Sequence, residues 1–289
     1  ATAGQIKQIN RFGSDAIEKA LEELGLDNPS AQRVIMHGDE FAAAIREAAL
    51  ASLKDLSVPD KFKDEERKSN YGYLSGYKPK SITEQTNRLR ELFPGIGYAD
   101  EKIAEGVIPP HAEGWFAIPK WQTVAPTYGE AVQKVLNAIK ATRNGKFHNY
   151  REGQLGPERL RQSASSATAF QKLGDAQKDH DIMVVPAQFG IRHRGRSVRR
   201  AREVFILTEF GLGAFANGII ILTHPERLMH YDDLWIDCAG DDFDDTGSAV
   251  RFARAPIFGF CDDRVEFDTL SQSDAGGYCG SASGFVPQC

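Results

Sequence analysis

The stretch Leu212–Leu222 (LGAFANGIIIL) is almost wholly apolar, and a chain that carries it must bury it. It is too short to cross a membrane, which takes ~18 apolar residues, and it ends in Thr-His-Pro-Glu-Arg. Its glycine-led start fits a buried helix, although GIIILT alone also fits a strand. Six arginines, Arg192, Arg194, Arg196, Arg199, Arg200 and Arg202, precede it within eleven residues, with no lysine among them. Seven aspartates follow between Asp232 and Asp245.

The order of patterns around this stretch predicts an α+β fold with an N-terminal helical segment, a mixed core and a β-rich C-terminal tail. Residues 4–56 read as two antiparallel helices joined by LDNPS, with a break near Gly13-Ser14-Asp15. Residues 57–80, charged and then rich in Tyr and Gly, read as a linker or mobile loop. That divides the chain into a segment 1–80 and a domain 81–289, whose β-rich end covers 232–289.

Ser81 or Thr83, followed by Glu84 or Thr86, is a capping box for a short helix to Phe93. GWFAIPKWQ reads as a strand pair or an extended segment, which Pro119 keeps out of a sheet centre. Residues 127–143 form an amphipathic helix with Val132, Val135, Leu136 and Ile139 in its stripe. A helix opens at Gly156-Pro157-Glu158 and runs through Leu173. Ile182–Val185 is a buried strand stopped by Pro186, residues 192–203 form a basic helix, and LWIDCAG is a strand. APIFGF and RVEFDTL form a hairpin around Asp262-Asp263. GGYCGSASGFVPQC is Gly/Ser-rich and poor in core side chains.

A net charge of −5 means that any nucleic-acid partner needs a local patch. The arginine run supplies one. On a helix Arg192, Arg196, Arg199 and Arg200 share a face, and their planar forks suit phosphate. The leading expectation is a binding protein for a phosphate-bearing partner, nucleic acid first, with stacking from Tyr71, Tyr73, Trp115 or Trp121. Its salt dependence would have a slope of about −0.7 to −0.9 per phosphate neutralised.

An alternative uses the aspartates. Asp237, Asp241, Asp242 and Asp244 on a loop after a strand offer oxygen ligands to Mg²⁺ or Ca²⁺, as in a metal-dependent hydrolase or phosphoryl-transfer enzyme. A third reading is an assembly protein in which the arginine and aspartate runs neutralise each other.

Three near-motifs fail. His111-Ala112-Glu113 lacks the cysteine half of a zinc deaminase signature. GSASGF has Ala282 where a nucleophile would stand. Gly211-Leu212-Gly213 lacks the third glycine and a strong preceding strand. His111 with Glu113, His193 and His224 remain acid–base candidates, and Cys238 is a buried thiol rather than a nucleophile.

The four cysteines, Cys238, Cys261, Cys279 and Cys289, are irregularly spaced, which fits free thiols in a cytoplasmic protein, with one or two disulfides in an exported protein as the alternative. The N-terminus lacks the apolar core of an export signal.

The stretches FPGIGYADEKIAEGVIPPHAEGWFAIPKWQ and VVPAQFGIRHRGRSVRRAREVF, with EFGLGAFANGIIILTHPERL, DDLWIDCAGDD and GSASGFVPQ, resemble hypothetical proteins encoded by candidate-phylum (Parcubacteria-like) bacteria. The resemblance covers roughly residues 85–289. It implies a bacterial, intracellular protein and no particular reaction, cofactor or site residue.

Overall fold

The computed structural model describes residues 1–247 and 249–287, and Cys289 lies outside them. The fold is α+β, helical first and β-rich toward the end. The chain divides into two compact units at Val58–Pro59.

The first unit holds α1 (Ala3–Leu24), α2 (Asn28–Met36) and α3 (Gly38–Leu56). Thr2 and Gln5 form a capping box at the start of α1, and Gly25 closes it in the left-handed region. The break expected at Gly13 does not occur. One glycine costs a helix only about 1 kcal/mol relative to alanine, too little to interrupt this one. The extra break falls instead at His37, between α2 and α3.

The second unit begins with residues 59–80, which are not a free linker. Arg67 N–H donates to Gly195 O, Ser197 N–H to Glu65 O and Leu234 N–H to Gly72 O. Local composition cannot reveal such distant partners. The rest runs α4 (Ile82–Leu92), β1 (Gly114–Pro119), α5 (Trp121–Val124), α6 (Tyr128–Thr142), β2 (Phe147–Asn149), β3 (Leu160–Gln162), α7 (Ala164–Ala176) and β4 (Ile182–Gln188). Then come α8 (Val198–Val204), β5 (Glu209–Gly211), α9 (Ala214–Thr223), β6 (Trp235–Asp237), β7 (Asp241–Phe243), β8 (Arg254–Cys261), β9 (Arg264–Ser271), β10 (Cys279–Ser281) and β11 (Ser283–Phe285).

Two sheets organise this unit. The smaller is antiparallel in the order β1-β4-β11-β5. Pro119 sits on its edge strand, where the missing donor costs no ladder bond. Pro186 does not stop β4, because β11 registers only against Ala187 and Gln188 and leaves that edge of the strand open at the proline.

In the larger sheet β8 pairs with β9 on one side and with β6 and β7 on the other. There β10 joins β6, β3 joins β7 and β2 joins β9. Asp262 and Asp263 both take positive φ at the tip of the β8–β9 hairpin, as expected of a two-residue turn.

The segment after Gly156 forms β3 before any helix. Leu160 is buried opposite Phe243, and Ser163 then caps α7. The apolar run becomes α9, with all ten of its residues buried. It packs on α6 at Gly218, where an added Cβ would lie 2.4 Å from Val135. The Gly/Ser-rich segment is not a peripheral tail. Across buried Ala282 the chain passes from β10 in the larger sheet to β11, an interior strand of the smaller. Glycine suits that strand, because a Cβ at Gly284 would come within 2.7 Å of Phe210.

Candidate functional site

The arginine run does not form one helix. A 3-10 turn at Ile191–His193 is followed by Gly195 in the left-handed region, and α8 starts only at Val198, capped by Ser197. The shared arginine face is therefore not built, and the guanidinium groups meet internal partners. Arg192 Nε donates to Glu209 at 3.3 Å. Arg194 donates to Tyr71 O at 3.0 Å. Arg196 and Arg200 both meet Glu66, at 3.5 and 2.5 Å. Arg199 grips Glu65 with Nε and Nη2.

Arg202 is where the arginine and aspartate runs join. It donates to Asp242 Oδ1 at 3.0 Å, Ala239 O at 2.8 Å and Asp241 O at 2.9 Å. An internal network exists, then, but its acids are largely glutamates from 65–66 and 209. Arg194 and Arg199 keep the most exposure, 54% for the side chain of Arg199.

The four aspartates proposed as metal ligands are not brought together. Asp242 accepts from Arg202 and pairs with Arg161, and Asp244 accepts from Arg251 Nε at 2.7 Å. Asp237 lies buried on β6, where burial pushes its carboxyl up to about 7. Asp241 accepts instead from Tyr128. Among the described residues no three His, Cys, Asp or Glu side chains are grouped to hold a metal ion.

The histidines fare similarly. His193 is buried, and its Nε2 lies 2.8 Å from Glu209. Arg196 Nη1 donates to its Nδ1, so the ring's proton sits on Nε2 and points at Glu209. Burial holds its pKa below the usual range. His224 accepts from Lys80 N–H at 2.9 Å, and burial with the nearby Lys80 charge lowers it to about 4. Glu113 accepts from Tyr73 Oη at 2.7 Å and Phe189 N–H at 3.1 Å, beside buried Arg227. His111 adopts a positive φ. Cys238, Cys261 and Cys279 are free thiols, and burial raises the pKa of Cys238 well above the ordinary value.

The structure reveals a cleft that local sequence patterns do not. It has a volume of about 420 Å³ and opens between α5, α7 and the start of α9, beside the end of β1. Four aromatic rings wall it: Trp121, Tyr128, Phe170 and Phe215. Trp121 meets Tyr128 edge to face at 6.0 Å, and Phe170 rests against Phe210 at 5.1 Å. Lys120, Gln162, Gln171, Asp175 and Lys178 add polar and charged groups to the lining.

Each wall has a local cause. Pro119 ends β1 and the chain turns into α5, which carries Trp121. Thr127 caps α6 and sets Tyr128 at its first position. Ser163 caps α7, which brings Phe170 round two turns later.

Behind the cleft Tyr128 Oη donates to the Asp241 carboxylate, at 2.8 and 2.9 Å to its two oxygens. Asp241 Oδ2 also accepts from Ala214 N–H at 2.7 Å, at the N-terminus of α9. Burial raises Asp241 to about 7, opposed by the Ala214 and Tyr128 hydrogen bonds and by Arg202. Burial and the facing carboxylate raise Tyr128 well above the usual phenol value. Gly213 makes the approach possible, since a Cβ there would meet Asp241 Oδ1 at 2.2 Å and Tyr128 Oη at 2.5 Å.

The fold and cleft thus define an α+β protein with an aromatic-walled cavity beside a buried tyrosine–aspartate pair. No protein-family model, curated protein or solved structure matches this chain. Among the described residues no helix is long and apolar enough to cross a membrane.

Proposed function

We propose that the chain is a ligand-binding protein whose cleft takes a flat, largely apolar molecule. The observation that carries this reading is the arrangement of Trp121, Tyr128, Phe170 and Phe215 around about 420 Å³ of open volume. Concave, mostly apolar cavities with a few placed polar groups are the usual form of small-molecule sites. Aromatic walls favour a planar ring system, which they grip by stacking and edge contacts. The Gln162 amide supplies one donor and one acceptor group for orientation.

The aromatic anion anilinonaphthalene sulfonate, titrated by its fluorescence, tests the cleft. Saturable one-site binding is expected, weakened about two- to tenfold by Phe170→Ala, in line with the ~0.5–1.5 kcal/mol of an aromatic contact. Dye emission that does not saturate, or that is unchanged in both Phe170→Ala and Trp121→Ala, would count against the cleft as a binding site.

A second reading keeps the phosphate-bearing partner, nucleic acid included. It is favoured by the hollow of about 340 Å³ where Lys61, Phe62, Arg199 and Arg202 meet beside Glu203. Arg199 and Lys61 are its exposed cations. Fluorescence anisotropy of labelled oligonucleotides at two salt concentrations checks it. The reading predicts salt-sensitive binding that Arg199→Glu weakens, and absence of binding at low salt sinks it.

A further inference from the structure

Around β6, Ile236 and Cys238 turn into the core, and strand alternation puts Trp235 and Asp237 together on the other face. On neighbouring β10, Cys279 lies level with Trp235 and Ser281 with Asp237. Asp237 is only 5% exposed. Among the described residues no hydrogen-bond donor or cation meets its carboxyl group, and burial alone pushes it up to about 7. Ser281 Oγ, fully buried beside it, also has no partner among the described residues. Buried carboxylates are ordinarily paired, because leaving one unpaired is costly.

Aromatic rings flank this carboxylate. Trp235 rests on β8 at Gly259, where an added Cβ would lie 2.4 Å from the indole. Tyr278 meets Trp235 at 5.2 Å with the ring planes 79° apart, and Tyr71 meets Tyr278 at 6.5 Å and 65°. Backbone bonds hold the rings in place: Trp235 N–H donates to Tyr278 O at 2.8 Å, and Leu234 N–H to Gly72 O at 2.9 Å. Burial first, then Cys279, Asp237, Asp274 and Tyr231, raise the Tyr278 hydroxyl, so the carboxylates lie close to this ring. Tyr278 is 40% exposed, which opens the group to solvent. Arg194, near Tyr71, is engaged with the Tyr71 carbonyl at 3.0 Å.

We propose that Trp235, Tyr278 and Asp237 form a binding site for a quaternary ammonium group, such as that of choline or trimethylated lysine. Rings at near right angles make a corner in which one rounded group touches both faces, whereas stacking of bases or sugars calls for rings in a flat row. The electron-rich faces attract a cation, and the unpaired carboxylate behind them does the same. A methylated ammonium has no N–H to satisfy, so ring faces and a single carboxylate suffice for it. A hard metal ion takes several oxygen ligands, and among the described residues no such group is assembled. Asp237 and Asp274 disfavour a phosphate here by like charge.

Isothermal titration calorimetry of the full chain with choline tests this, at about pH 8.5, where a carboxyl titrating at about 7 is ionised. Saturable one-site binding is expected. The uncharged carbon isostere 3,3-dimethyl-1-butanol should bind about tenfold more weakly. Asp237→Asn and Tyr278→Leu should each weaken choline about tenfold, and Phe170→Ala, in the aromatic cleft, should leave it unchanged. Circular dichroism checks the fold of each variant, and the exposed Tyr278 decides the matter where Asp237→Asn does not fold. Absence of saturable choline binding would overturn the proposal. So would equal binding of the uncharged isostere, undiminished affinity in a folded Asp237→Asn or Tyr278→Leu chain, or choline binding lost on Phe170→Ala.

Discussion

Asp237 and Gly213 each hold a conformation that a single substitution would disturb measurably. The Asp237 carboxyl is raised to about 7, with burial as the cause. The folded protein therefore holds this proton more tightly than the unfolded chain. That contribution to stability is complete below the ordinary aspartate range, near 4, and is lost as pH rises through about 7. Asp237→Asn removes the dependence. The stability of the variant relative to the parent should thus rise between pH 4 and 7, by ~2–4 kcal/mol, since a tenfold change in proton affinity is worth about 1.4 kcal/mol. Urea unfolding at both pH values measures it, and a pH-independent difference would contradict the assignment. At Gly213 the prediction is steric. Gly213→Ala drives a methyl into Asp241 and Tyr128 and should cost ~1–3 kcal/mol, read as a lower thermal midpoint. It should also loosen anilinonaphthalene sulfonate in the cleft, because Tyr128 must move. Neither effect is visible in sequence: Asp237 is one of seven aspartates, and only the fold decides that Asp233, Asp237 and Asp241 are the buried ones.

Among the elements, α4, α6 and the β8–β9 hairpin were legible because their signals are local. Ser81 with Glu84, the stripe through Ile139, and the Asp262-Asp263 turn each lie within one or two turns of chain. The segment 59–80 was not legible, since its anchors lie far away: Glu65 meets Arg199 and Glu66 meets Arg200, both 134 residues on. The cleft was hidden for the same reason, its walls coming from α5, α6, α7 and α9. The link between 65–66 and α8 makes a further prediction. Glu66→Ala takes away the carboxylate that fully buried Arg200 meets, and such a loss costs ~3–5 kcal/mol when both partners are inside. Glu66 is 25% exposed, so a smaller drop of ~2–3 kcal/mol is expected. A thermal midpoint equal to the parent's would show that α8 is held without this pair.

For the whole molecule, the α+β order of helices before strands was readable from the succession of periodicities, while the boundary between units was not. Charge and tyrosine content made 57–80 resemble a linker, yet the division falls at Val58–Pro59. Every buried hydrophobic side chain among the described residues lies between Phe62 and Phe285. A chain beginning at Pro59 therefore keeps the entire core. Its thermal midpoint is expected to match that of the longer protein, with the loss of signal at 222 nm limited to α1–α3. A non-cooperative melt would show that the first unit is needed for folding.

The passage of the chain across Ala282, from one sheet to the other, bears on how the protein is made. Strand β4 leaves the ribosome long before its partner: Ser283 follows Gln188 by 95 residues. Until 279–285 emerge, β4 and β5 each lack a neighbour and β6 has an open side. Such late, long-range pairing slows folding and leaves strand edges free to join other nascent chains. A ribosome that stalls before Cys279 would therefore release a sticky product rather than a shortened protein, and synthesis of this short glycine-rich segment sets the moment at which both sheets close.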